Sequence, residues 1–173
     1  MAGVSPVIHG ITTCTMDAKE RRKHEQRLED FLSINLDLIE PRLNLIKRQK
    51  ILNDTRKRRI GVLDIFAESD RKRIIGVELK VTKLSSRDLG QAIGYYSYFK
   101  QRSDRLDLPL PKIVVVGPKM DPIYEYGLMA LKEGVQISTF IYTFPLGHGV
   151  NDDEWVVDLK EYDPENQQLR IPR

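Results

Sequence analysis

Two short runs joined by one turn, IGVLDIFA at 60–67 and IIGVELKV at 74–81, do most to restrict how this chain folds. Side chains alternate between the faces of a strand. In the first run Gly61, Leu63, Ile65 and Ala67 share one face, and Ile60, Val62, Asp64 and Phe66 the other. In the second, Ile75, Val77, Leu79 and Val81 share one face, and Ile74, Gly76, Glu78 and Lys80 the other. One face of each strand is apolar and calls for burial, so other elements must cover the sheet. The opposite face carries Asp64, Glu78 and Lys80 into apolar surroundings, where a carboxylate is costly unless something pairs with it.

The turn between the runs reads ESDRKR. A hairpin register centred on Arg71 leaves a loop of about five residues. It sets Asp64 opposite Glu78, with Cβ atoms roughly 4.5–5.5 Å apart, where like charges repel. A divalent cation between them, Mg²⁺ or Mn²⁺, reverses that sign. Two carboxylates, a hard cation and an adjacent lysine are the core of a phosphodiester-cleaving site. From these strands alone the alternative is an amphipathic hairpin in which Lys80 pairs with Glu78.

A helix is expected over 86–102, SRDLGQAIGYYSYFKQR, with Ser85 or Ser86 as N-cap and Asp88 in the first turn. Leu89, Ala92, Ile93, Tyr96 and Phe99 form its apolar stripe. Gln91 and Tyr95 sit four apart on a neighbouring face. That face either lies over the edge of the acidic strands or leaves Gln91 solvated and Tyr95 flanking the core. Residues 47–59 concentrate Lys47, Arg48, Lys50, Arg56, Lys57, Arg58 and Arg59 against a single Asp54. Beside a metal–carboxylate motif such a cluster suits a DNA backbone, and by itself it is an ordinary solvated basic loop.

The ordered pieces LEDFLSINLDLIEPRL, KRQK, RIGVLDIFA, IIGVELKVTK and LGQAIGYYSYF, over roughly 25–100, resemble the PD-(D/E)XK nuclease superfamily in its RecB-like branch. Within it they are most similar to the C-terminal nuclease domain of the NucS/EndoMS endonucleases. The later KIVVVGP and GLMALKEGVQISTFIY resemble the strand–helix–strand that closes that domain. The resemblance implies Asp64 and Glu78 as metal ligands and Lys80 as the residue that positions the attacking water or offsets developing charge. It implies Gln91 and Tyr95 as the supporting pair. Glu29 is the match for an additional ligand from the first helix, with Glu25 one turn earlier as its rival. Arg48 and Gln49 fall where that pattern has polar residues near the site. It further implies a Mg²⁺- or Mn²⁺-dependent deoxyribonuclease whose DNA-binding residues are Lys47, Arg48, Gln49, Lys50, Arg56, Lys57, Arg58 and Arg59. That family also carries a separate N-terminal β-rich domain for DNA binding and dimerisation. A chain of 173 residues has no room for it, so mismatch choice is not expected to carry over.

The remaining pattern suits one domain over 17–160, with an N-terminal tail at 1–16 and a polar C-terminal tail at 161–173. The first helix spans 17–35, with Leu28, Phe31 and Leu32 inward, and a short turn stops at Pro41. Strands follow at 43–52, 59–67, 73–82 and 112–116. A helix at 121–133 turns Ile123, Leu128 and Leu131 inward and ends at Gly134. A strand at 135–144, a loop at 145–154 and an edge strand at 155–159 complete the chain. The expected architecture is α/β: a restriction-endonuclease-like α/β sandwich with a central mixed sheet, in the order α-β-β-β-α-β-α-β.

No apolar stretch approaches the ~18 residues of a membrane span, so no membrane partner is expected. Cys14 is the one cysteine, which excludes an intrachain disulfide and suits the cytoplasm. His9, His24 and His148 show no zinc-ligand spacing. Aromatic residues on the C-terminal strands, read as exposed, leave room for a homodimer. A DNA-binding module that does not cut, part of a repair or replication assembly, is the competing reading.

Overall fold

The computed structural model describes residues 17–131, 133–144 and 156–170. The expected tail at 1–16, the loop at 145–154 and Trp155 lie outside these residues.

Helix α1 (Ala18–Ile34) starts where its sequence dictates. Asp17 accepts from the backbone N–H of Lys19 and Glu20, and the Glu20 carboxylate accepts from the Asp17 N–H, a reciprocal capping box. Leu28 and Leu32 are fully buried, each worth roughly 1.5–3 kcal/mol of transfer free energy. A short 3₁₀ turn (Leu36–Leu38) leads into strands β1 (Leu43–Asn53), β2 (Arg59–Ser69) and β3 (Ile74–Leu79). Next come α2 (Ser86–Leu106), β4 (Lys112–Gly117), α3 (Pro122–Met129), β5 (Ile137–Thr143), β6 (Asp158–Asp163) and β7 (Gln168–Arg170).

The seven strands form one sheet in sequence order. The β1/β2 and β2/β3 pairs are antiparallel, β3/β4 and β4/β5 parallel, and β5/β6 and β6/β7 antiparallel. Both β3 and β4 are buried along their length, except for a half-buried Lys112 at the start of β4, because helices cover both faces. One layer packs α1 on Ile65, Ile75, Val77, Val114, Val116 and Phe140. The other packs α2 and α3 on Leu63, Ile74, Ile113 and Val115. The mixed sheet and the element order are those expected from the sequence; the strand expected at 155–159 is found as β6 at 158–163, and β7 is additional.

Several local expectations change. Residues 161–170, read as a tail from their polarity, complete β6 and form β7, so the boundary placed after residue 160 falls inside a strand. Helix α3 is shorter than its sequence window. It is capped by Asp121, whose side chain accepts from the Tyr124 N–H, and it buries Tyr124 and Leu128 while Ile123 is 67% exposed. The aromatic residues of the C-terminal strands are mostly covered: Phe140, Tyr142 and Tyr162 are buried. They therefore do not supply the dimer surface read from them.

Candidate active site

The β2/β3 register is the one centred on Arg71: Ile65 pairs with Val77, Phe66 with Gly76 and Ala67 with Ile75. Pairing stops one step before Asp64 and Glu78. On the other side of β2, Arg48 pairs with Ile65 and Lys50 with Leu63, while Gln49 and Asp64 between them do not pair. Gln49 has φ +47, a region that costs a non-glycine residue on the order of 1 kcal/mol or more and recurs at functional sites. Strict alternation along β2 also fails here. Gly61 and Leu63 face the α2 layer, whereas Ile65 and Ala67 face the α1 layer. The four residues read as one continuous apolar face are thus divided at Asp64, where the ladder opens and frees space for a site.

A pocket of about 370 Å³ occupies that opening, lined by residues of α1, by Gln49, by Asp64 and by Glu78, Leu79 and Lys80. Asp64 Oδ2 accepts from the Leu79 N–H at 2.7 Å, so the aspartate takes the place of a missing ladder acceptor. Asp64 Oδ1 accepts from Gln49 Nε2 at 3.2 Å. The same Gln49 amide donates to Glu29 Oε2 at 2.6 Å, and Arg48 Nε donates to Glu29 Oε1 at 2.7 Å. Both oxygens of the buried Glu29 are therefore held by β1. Lys80 Nζ donates to Glu78 Oε1 at 2.7 Å and to Gln91 Oε1 at 3.3 Å, and stands 3.9 Å from Asp88 Oδ1. Gln91 Nε2 donates to Tyr95 Oη, which donates to the Val62 carbonyl at 3.0 Å.

The electrostatics follow from burial. Desolvation, reinforced by the Asp64 charge, pushes Glu78 up to about 7 against the pull of Lys80. Burial also raises Asp64, and the Leu79 N–H, Gln49 and Lys80 oppose the rise. Burial alone lowers Lys80, but Glu78, Asp88 and Asp64 outweigh it and hold the ammonium above its ordinary value. Lys80 is thus a fixed cation beside two acids that resist ionising together.

The residues singled out in the sequence form two networks, Arg48–Glu29–Gln49–Asp64 and Glu78–Lys80–Gln91–Tyr95, and the charges of Asp64 and Glu78 act on each other between them. Arg48 is turned inward to Glu29 and to Asp30 (2.6 Å), so its charge is spent within the fold. Lys50 lies over the Phe66 ring, 5.4 Å from its centroid, and Lys47 is exposed. Arg56, Lys57 and Arg58 sit on the β1–β2 loop and Arg59 at the start of β2, all outside the carboxylate pocket. Asp88, read from the sequence only as a first-turn acid, also reaches Lys80. Its other oxygen accepts from the Ser85 N–H and hydroxyl, which closes the N-terminal capping box of α2.

Among the described residues no three histidine, cysteine or acidic side chains converge on one point to hold an ion. Magnesium needs only one or two carboxylates and keeps several waters. The donors present fit it. Asp64 and Glu78 offer hard oxygens, and Glu78 Oε2 is buried without a protein partner.

The central mixed sheet, the helices on both faces and the acidic opening between β2 and β3 define a restriction-endonuclease-like α/β fold. The chain is similar to the crystal structure of a repair endonuclease from Pyrococcus abyssi, with a TM-score of 0.52 and 20% identity over 65% of this chain and 45% of that one. It is also similar to EndoMS in complex with double-stranded DNA (0.54, 17%, covering 66% and 43%) and to EndoMS in its apo form (0.50, 18%, covering 65% and 44%). This chain matches less than half the length of those proteins. No protein-family model matches it, and no curated protein does. Among the described residues no helix is long and apolar enough to cross a membrane.

Proposed function

We propose that the chain is a Mg²⁺- or Mn²⁺-dependent DNA endonuclease, with Asp64 and Glu78 as metal ligands and Lys80 as the catalytic cation. The observation that carries this reading is the buried, partnerless Glu78 Oε2 beside Asp64 and Lys80, where the sheet opens. A pure binder gains nothing from two acids facing a phosphate. The fold shared with repair endonucleases, one of them bound to double-stranded DNA, supports the same reading.

A divalent ion held there supplies charge neutralisation on the scissile phosphate and a more acidic water. The protein residues do the rest. Asp64 is fixed by the Leu79 N–H and Gln49, so one ligand is oriented before substrate arrives. Lys80, held by Glu78 and Gln91, places a positive charge where the phosphorane develops negative charge. We assign Glu29 to orienting Gln49, and through it Asp64, because its charge is already paired with the Arg48 guanidinium at 2.7 Å. Gln91 and Tyr95 are positioning residues that act through Lys80. Lys47, Lys50, the loop cations Arg56, Lys57 and Arg58, and Arg59 at the start of β2 are the DNA-backbone contacts in this reading.

The test is cleavage of labelled single-stranded, flap, junction, mismatched and plain duplex DNA, with Mg²⁺ or Mn²⁺ against EDTA, by wild type and Asp64→Ala. Metal-dependent cutting lost in the variant is expected. Binding without cutting under every condition would instead identify a non-cleaving DNA-binding module.

A further inference from the structure

A second pocket, of about 610 Å³, lies between the β1–β2 loop and the far half of α2, and it shares no lining residue with the carboxylate pocket. Arg102 and Arg105 of α2 line it, both exposed. Opposite them, Thr55 and Ile60 line it, and the chain between these two is Arg56, Lys57, Arg58 and Arg59, all exposed. The acid in the wall, Asp54, is already neutralised: it accepts from the Arg56 and Arg58 N–H groups and pairs with the Arg58 guanidinium at 2.7 Å. The groove therefore carries the positive charge of Arg102 and Arg105, with the basic run 56–59 on the adjoining chain.

Beside the polar Asn53, Ser97 and Gln101, part of its lining is apolar. The half-buried Tyr98 ring stands edge-on to Phe99 at 5.1 Å, Ile60 is 42% exposed and Leu106 55% exposed. Duplex DNA keeps its bases stacked inside and offers such a surface mainly phosphates and sugars. An unpaired strand offers base faces as well, and single-strand sites combine a basic groove with aromatic platforms. A Cβ built at Gly94 meets nothing within 4 Å, so the helix backbone is open to the groove at that point.

The two pockets share strand β2: Ile60 is four residues before Asp64, about 13 Å. On α2, Tyr98 is seven residues after Gln91, which accepts from Lys80, about 10 Å. A stacked strand advances about 3.4 Å per nucleotide, so three or four nucleotides cover that distance. We propose that this groove binds the unpaired strand of a DNA substrate, with Tyr98 under a base and Arg102 and Arg105 on flanking phosphates. The link to cutting rests on the nuclease reading above, whereas the binding site itself does not.

The test measures equilibrium binding of the full chain, in EDTA, to a thymidine strand of about 20 nucleotides and to a blunt duplex of the same length. Arg102→Glu/Arg105→Glu is expected to weaken single-strand binding about tenfold or more and to flatten the salt dependence by about 1.4 in slope. Gly94→Leu fills the groove without changing charge and is expected to weaken the same binding. The control Arg42→Glu/Lys160→Glu carries the same charge change at positions elsewhere and is expected to bind like wild type. Equal single-strand affinity in wild type and both groove variants overturns the proposal. So does loss of duplex binding by the same factor, or no single-strand binding at all. Groove-dependent binding with no cutting in Mg²⁺ overturns the nuclease reading and leaves the groove. Cutting with groove-independent binding does the reverse.

Discussion

The two pockets differ in how their charges are held. In the carboxylate pocket Glu29 and Glu78 are buried, Asp64 and Lys80 are half-buried, and almost every oxygen is tied to a named donor: Asp64 to Leu79 and Gln49, Glu29 to Arg48 and Gln49, Glu78 to Lys80. In the basic groove the cations are exposed and stand on a loop and the far turns of a helix. Buried charges are expensive unless fully partnered, whereas exposed ones cost little and are screened by salt. Changes in the first pocket should therefore alter chemistry and stability. Changes in the second should alter binding and its salt dependence.

The largest expected effect breaks one side only. Asp64→Ala or Glu78→Ala should lower cleavage by on the order of 10³-fold or more while leaving single-strand affinity unchanged. Cleavage assays and binding isotherms on the same preparations check this, and full activity in either variant removes the site. Lys80→Ala should cost on the order of 10²–10³-fold in cleavage with a smaller effect on folding. Loss of the folded state instead would make Lys80 a structural counter-ion for Glu78.

The carboxylate side is legible in the sequence because strand alternation and a short turn fix a register, and that register brings Asp64 to Glu78. What alternation cannot show is the break at Asp64. A residue in the left-handed region, Gln49, opens β1 from β2 without any glycine to announce it. That break moves Leu63 to the other layer and turns Arg48 and Gln49 toward Glu29. The groove is only half visible. The basic run at 56–59 stands out, but its opposite wall, Tyr98, Arg102 and Arg105, lies about 40 residues away and reads as an ordinary amphipathic helix end. Strand β7 escapes a sequence reading because its three residues are polar or exposed and carry no burial pattern.

A pH titration sharpens the contrast. In the folded, metal-free protein Glu78 keeps its proton up to about pH 7, against 4.5 in the unfolded chain. The folded state therefore binds more protons within that window, and stability falls as pH rises through it, by on the order of 3 kcal/mol from Glu78. Asp64, also raised, adds in the same direction. Chemical denaturation in EDTA should show that slope in wild type and lose most of it in Glu78→Gln. Mg²⁺ should flatten it by favouring the ionised acids. Parallel profiles for wild type and variant would mean that Glu78 is ionised throughout, and the Glu78–Lys80 contact would then be an ordinary ion pair. The groove variants, whose charges are exposed, should leave the profile unchanged.

The smallest expected effect lies at Tyr95, which lines neither pocket. Its hydroxyl bridges Gln91 and the Val62 carbonyl, and its ring fills the space that a side chain at Gly61 would need. Tyr95→Phe keeps the ring and removes only the hydroxyl, so about 1 kcal/mol of stability should be lost. Gln91 then loses its anchor and Lys80 one of the groups that orient it, which should lower kcat about tenfold, the scale of supporting-residue losses at metal sites. KM and single-strand affinity should not move, because Tyr95 lines neither pocket. A fall in kcat alone would place the Gln91–Tyr95 pair in service of Lys80. Unchanged kcat with the same loss of stability would make the pair a structural tie between α2 and β2, and a rise in KM would mean that the two pockets are coupled through this one hydroxyl.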